Sequence, residues 1–139
     1  MPLSPSRRKR ILFACVGNSG RSQMAEAFAR AIGGVELEVQ SGGTRPLGHI
    51  LPAVQQAMLE RGLDLSSQRS RPIDEAFARS ADLVVTMGCG DDCPAFLGRR
   101  VEDWPLEDPK GRTLDEVRRI RDQVEARVRD LHQRLMRQE

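Results

Sequence analysis

No stretch of the chain is apolar for long enough to cross a membrane. Charge of either sign is not in excess. The 22 Lys and Arg residues face 20 Asp and Glu, a net charge of +2, so no nucleic-acid or other strongly charged partner is implied. Histidine is scarce. Only His49 and His132 could supply ring nitrogens, and neither is placed as a zinc ligand beside the cysteines. Cysteine is limited to Cys15, Cys89 and Cys93. An odd count argues against a structural disulfide framework and for reactive thiols. The basic run Arg7 to Arg10 before Ile11 imitates a signal peptide. Its apolar part is short, is broken by Gly17-Asn18, and has no small-residue cleavage pattern, so a cytoplasmic protein is expected. There are no internal repeats.

What is present suits one α/β domain of 139 residues. Residues 1–9 read as a flexible basic N-terminal arm, and 10–139 as a single domain. Ile11 to Ala14 is a continuous apolar run, as in a strand buried on both faces. Ser22 to Ile32 has helical periodicity, ended by Gly33-Gly34. Val35 to Gln40 alternates and is expected to be a second strand. Pro52 opens a helix running to Arg61, and Asp74 to Ser80 is a short one. Leu83 to Met87 and the vicinity of Val101 supply two more strands. Thr113 and Glu116 form a capping box for a last helix from Leu114 to about Leu135. The apolar stripe of that helix faces the sheet rather than a second copy, so a monomer is expected. The sum is a three-layer domain with a four-stranded parallel sheet flanked by helices. In such sheets ligands bind beyond the carboxyl ends of the strands. Cys15, the 41–45 segment, Cys89 with Cys93, and Asp108 each follow a strand and collect at that end.

Cys15-Val16-Gly17-Asn18-Ser19-Gly20-Arg21-Ser22 is the segment with the most chemistry. C-x5-R alone turns up by chance in on the order of one chain in ten. Between a buried strand and a helix start it becomes specific. Backbone N–H groups, the helix N-terminus and Arg21 all favour a thiolate over a thiol. Gly17 and Gly20 are expected to adopt positive φ and turn successive N–H groups into a nest. The same nest suits a tetrahedral oxyanion, and Arg21 can grip two of its oxygens. Asn18 and Ser22 can hydrogen-bond within the loop, and Ser22 can donate to the thiolate.

Asp108-Pro109 is an ordinary turn signal, but a carboxyl group near the oxyanion could also protonate a leaving oxygen. Cys89 and Cys93 are spaced C-x3-C, half of a zinc site or a redox pair. Glycine and acidic neighbours in that segment favour the redox pair.

With these residues identified, the sequence resembles the arsenate reductases built on the low-molecular-weight tyrosine phosphatase fold, especially the thioredoxin-coupled kind. The resemblance covers residues 10 to about 130. It rests on the segment from Cys15 to Glu26, on Ser41-Gly-Gly-Thr-Arg45, on the segment from Asp82 to Cys89, and on Asp103-Trp-Pro-Leu-Glu-Asp-Pro109. It implies that Cys15 attacks arsenate held by residues 16 to 22 and Arg21, with phosphate or sulfate as mimics. It implies that Asp108 protonates the departing oxygen. Cys89 then attacks Cys15, arsenite leaves, and Cys93 moves the disulfide to Cys89–Cys93 for reduction by thioredoxin. No cofactor and no resident metal are expected.

Two departures stand out. The related phosphatases usually have tyrosine after Asp-Pro. Here Lys110 follows and the chain has no tyrosine, which disfavours a phosphotyrosine substrate. Some members bind potassium. Asn18, Glu26 and Ser41 match three such ligands, but Arg71 stands where a carboxylate would be, so its guanidinium is expected to replace the cation. The alternatives are a phosphatase acting on small aryl phosphates, a reductase linked to mycothiol and a glutaredoxin-like partner, and a non-catalytic redox-sensing or oxyanion-binding module.

Overall fold

The computed structural model describes residues 8–89 and 100–137. Its elements are β1 (Lys9–Cys15), α1 (Arg21–Gly33), a 3-10 turn (Gly34–Glu36), β2 (Leu37–Gly43), α2 (Pro52–Leu59), α3 (Glu75–Ser80), β3 (Leu83–Thr86), β4 (Val101–Asp103) and α4 (Leu114–Arg137). The four strands form one sheet in the order β2-β1-β3-β4, and every pairing is parallel. The chain leaves β1 toward β2 and then returns to β3 on the other side. The topological switch point therefore lies between β1 and β3, where α/β sheets open a crevice.

Strand alternation sorts the core into two unequal layers. Ile11, Phe13, Leu83 and Val85 pack with α1, α2 and α4. Leu12 and Val84 face the opposite way, onto Phe77, Ala78 and Ala81 in and beside α3. Ile11 to Ala14 are fully buried, as the unbroken apolar run predicts. Asp74 caps α3 by accepting from the Phe77 N–H at 3.1 Å. The capping box of α4 is present, with Thr113 Oγ1 accepting from Glu116 N at 3.2 Å and Glu116 Oε1 accepting from Thr113 N at 3.0 Å.

Most boundaries lie within two residues of the sequence reading, and the differences at β1 and β2 bear on the site. Lys9, assigned there to the arm, already pairs with Leu37 in the sheet; residues 1–7 lie outside the described residues. The second strand is displaced toward its C-terminus. Val35, read as a strand residue, sits in the 3-10 turn and is 84% exposed. The strand instead runs through Gly42 and Gly43, which look like turn residues. They are glycines because another backbone passes close by. A Cβ on Gly42 would stand 2.6 Å from Ile73 Cα, and one on Gly43 would stand 2.5 Å from the Val16 carbonyl oxygen.

Candidate active site

β1 delivers Cys15 to the carboxyl edge of the sheet, 2% exposed and a free thiol. The loop beyond it is shaped by where its carbonyls go. Cys15 O accepts from Thr44 N (3.0 Å), Val16 O from Arg45 N (2.9 Å) and Gly17 O from Leu47 N (2.8 Å). Asn18 O accepts from Gln23 Nε2 (3.0 Å), Ser19 O from Leu51 N (3.0 Å) and Gly20 O from Met24 N (2.9 Å). Across a trans peptide the C=O and the next N–H point in opposite directions. Among the described residues no peptide is cis. The carbonyls of residues 15 to 20 are engaged around the loop, so the N–H groups of residues 16 to 21 turn toward its interior. One of them, Asn18 N–H, donates to Cys15 Sγ at 3.3 Å. This nest meets the N-terminus of α1, where the helix dipole adds positive potential.

The glycines do not supply the positive φ that the sequence suggested. Neither Gly17 nor Gly20 has one; Asn18 does, at φ 47. Asparagine tolerates that region better than most residues, and its side chain is bonded on the buried side of the loop. The glycines are there for room. A Cβ on Gly20 would lie 2.5 Å from Pro109 Cγ, and one on Gly17 would lie 3.1 Å from Ser19 Oγ.

Arg21 is buried, and its guanidinium is held from two sides. Nη1 donates to the Leu106 carbonyl at 3.2 Å, and Nη2 lies 3.7 Å from Asp108 Oδ2. It also packs against Gly88 (φ 89), where a Cβ would collide with Nη1. The loop carrying Asp108 is anchored by buried Trp104, whose ring meets Phe13 of β1 at 5.8 Å between centroids. Asp108 Oδ1 accepts from Lys110 N at 3.0 Å, which leaves Oδ2 facing Arg21. A cleft of about 140 Å³ results, lined by Cys15, Val16, Gly17, Ser19, Gly20, Arg21, Asp108 and also Arg45, Leu47 and Lys110. Among the described residues, three cationic side chains against one carboxylate, over a nest of N–H groups, suit a small dianion. Among the described residues the lining contains no aromatic ring.

Of the expected oxyanion-binding residues, Asn18 and Ser22 do not line this cleft. They lie behind it, fully buried. Ser22 Oγ is 2.8 Å from Cys15 Sγ and accepts from Asn18 Nδ2 at 2.8 Å. Cys89 follows β3, is buried, and has its Sγ 3.9 Å from the carbonyl oxygen of Ala14, the residue before Cys15. Cys89 is disulfide-bonded. Cys93 lies outside the described residues.

The group of Asn18, Glu26 and Ser41 does not fit a potassium ion. Glu26 is bonded to Ser41 and Arg30, Asn18 Oδ1 is taken by two N–H donors, and the Arg71 guanidinium reaches to 3.9 Å from Glu26. Sequence reasoning missed Leu47 at the mouth of the cleft, and Gln23, whose amide holds Asn18. Gln23 reads as an ordinary polar helix residue. Only the outward turn of the Asn18 carbonyl reveals its role.

The profile of the family described as low molecular weight phosphotyrosine protein phosphatase matches residues 10–139. A glutaredoxin arsenate reductase from Synechocystis is 40% identical over 126 residues, covering 88% of this chain and 95% of that protein. Among solved structures, the thioredoxin-dependent arsenate reductase Cg_ArsC1' of Corynebacterium glutamicum superposes with a TM-score of 0.84 at 34% identity, covering 96% of this chain. This chain spans 65% of that one. The YwlE arginine phosphatase, as a variant with a phosphorylated active-site serine, superposes with a TM-score of 0.81 at 29% identity, covering 91% of this chain and 95% of that one.

Proposed function

We propose that this chain, which belongs to the low molecular weight phosphotyrosine protein phosphatase family, reduces arsenate to arsenite. One observation carries the reading beyond phosphoryl chemistry. A second cysteine sulfur, that of Cys89, stands at the adjacent strand end, against the carbonyl of the residue preceding Cys15. A phosphatase needs Cys15, Arg21 and Asp108 but has no use for a thiol there.

In this reading the nest and Arg21 hold arsenate, and the Cys15 thiolate attacks arsenic while Asp108 protonates the departing oxygen. Cys89 next attacks the Cys15 sulfur. A disulfide forms, the S–As bond breaks, and its electron pair stays on arsenic, which leaves as arsenite. Cys93 attacks Cys89 and frees Cys15. Thioredoxin is the proposed reductant of the resulting bond, in a cytoplasmic monomer. The thioredoxin dependence named for the Corynebacterium protein supports that choice, and the glutaredoxin of the Synechocystis relative's name marks the alternative. Among the described residues no helix is long and apolar enough to cross a membrane.

The second reading is a phosphatase. Its support is the likeness to an arginine phosphatase together with the sufficiency of Cys15, Arg21 and Asp108. NADPH consumption with arsenate, thioredoxin and thioredoxin reductase separates the two, with aryl phosphate hydrolysis measured in parallel. Turnover is expected in the wild type and in none of Cys15→Ser, Cys89→Ser and Cys93→Ser. Aryl phosphate hydrolysis without any arsenate reduction would establish the phosphatase instead.

A further inference from the structure

On the buried side of the loop, a chain of hydrogen bonds links a carboxylate to the nucleophile. Glu26 of α1 is 3% exposed. Its Oε2 accepts from Arg30 Nε (3.0 Å) and Nη2 (2.7 Å), with Arg71 Nη2 at 3.9 Å. Its Oε1 accepts from the Ser41 hydroxyl at the end of β2. Asn18 Nδ2 donates to Ser41 Oγ (3.0 Å) and to Ser22 Oγ (2.8 Å), and Ser22 Oγ lies 2.8 Å from Cys15 Sγ.

The proton positions follow from what each group can do. A carboxylate only accepts. Ser41 therefore commits its one proton to Glu26 and meets Asn18 as an acceptor. The Asn18 amide is oriented independently, because its Oδ1 faces two donors, Gln23 Nε2 and Arg71 N, each at 2.9 Å. Its two Nδ2 protons then go to Ser41 and Ser22. Ser22 accepts from Asn18, and its own proton is left for the sulfur.

We propose that Glu26 and Arg71 are positioning residues that fix the direction of this chain, so that it ends with Ser22 donating to a Cys15 thiolate. Arg71 acts at three points: its N–H on Asn18 Oδ1, its Nε on the Ser41 carbonyl at 3.2 Å, and its guanidinium beside Glu26. It ties the loop, β2 and α1 together from a site that never meets the oxyanion. The inference rests on Cys15 being the nucleophile and adds what keeps it reactive.

The test is the rate at which iodoacetamide alkylates Cys15, followed on the Cys15 peptide by mass spectrometry at pH 7 and at pH 10. In Glu26→Gln and Arg71→Ala the rate at pH 7 is expected to fall by about threefold, the scale of a partly exposed charge pair. The deficit is expected to close at pH 10, above the ordinary range of cysteine thiols, and Arg71→Lys falls between Arg71→Ala and wild type. Wild-type rates at pH 7 in the folded variants would overturn the proposal. So would an equal loss at both pH values, which reports a disordered loop rather than a misdirected proton. If Glu26→Gln does not fold, Arg71→Ala carries the test, since that side chain is 41% exposed. Alkylation does not involve arsenate, so its outcome is separate from that of arsenate reduction.

Discussion

Arg21 Nη2 stands 3.7 Å from Asp108 Oδ2, which joins the loop after β1 to the loop after β4. Asp108 is 59% exposed, so the pair adds little to stability. Its consequence is positional: the group proposed to clamp an oxyanion also aims the group proposed to protonate what leaves it. Asp108→Asn keeps the shape and removes the proton. It is expected to lower kcat by roughly 10²–10⁴-fold while leaving the affinity for phosphate as a competitive ligand within a few-fold of wild type. Steady-state kinetics with phosphate inhibition checks both halves.

Gly20 packs against Pro109, the residue after Asp108. In Gly20→Ala the new methyl group pushes that loop away from the nest. The expected cost is about 1–3 kcal/mol of stability, with a loss of activity larger than the unfolded fraction explains, because Asp108 moves with Pro109. Urea unfolding and turnover on the same sample compare the two effects.

Thr44 Oγ1 is the buried side-chain polar atom without a hydrogen-bond partner among the described residues. Thr44→Val has nearly the same shape and removes that hydroxyl. It is expected to stabilise the fold by about 1 kcal/mol, seen as a rise in Tm of several degrees. A fall in Tm would mean that the hydroxyl is paired in solution.

Glu60, at the end of α2, is lowered to about 2, chiefly by hydrogen bonds from Arg118, with Arg121 assisting against the opposing effect of burial. A carboxyl group depressed on folding contributes stability that is complete above its unfolded value near ~4.3 and lost as pH falls through the folded value. Stability curves of wild type and Glu60→Gln should therefore separate above about pH 4.5. They should converge as pH approaches about 2. Chemical denaturation at several pH values gives both curves. A constant gap across that range would contradict the linkage.

The strands, and the end of the sheet at which the candidate residues meet, were legible because burial and period are local. Ile11 to Ala14 read as a buried strand, and the stripe of α4 as a face turned to the core, where Val117, Ile120, Val124, Val128, Leu131 and Leu135 lie. That Cys15, Arg21 and Asp108 line one cleft was legible because each follows or opens an element at the same end. What escaped depended on contacts between distant segments. Gly42 and Gly43 read as a turn because the backbones that press on them, Pro72–Ile73 on Gly42 and Val16 to Asn18 on Gly43, are far away in sequence. The positive φ was assigned to glycines, which permit it, rather than to Asn18, which is held there by Gln23 and Arg71. Val35 alternated like a strand residue but follows Gly34, whose φ of 53 lets the chain turn first.

The central claim is that three thiols pass one disulfide outward. It is tested most directly by mixing reduced Cys93→Ser with arsenate, without thioredoxin, and mapping its disulfides after a single turnover. The account expects one arsenite per chain and a trapped Cys15–Cys89 disulfide that does not move on. Arsenite formation with both thiols still free, or no arsenite from a folded variant that binds phosphate, would contradict it.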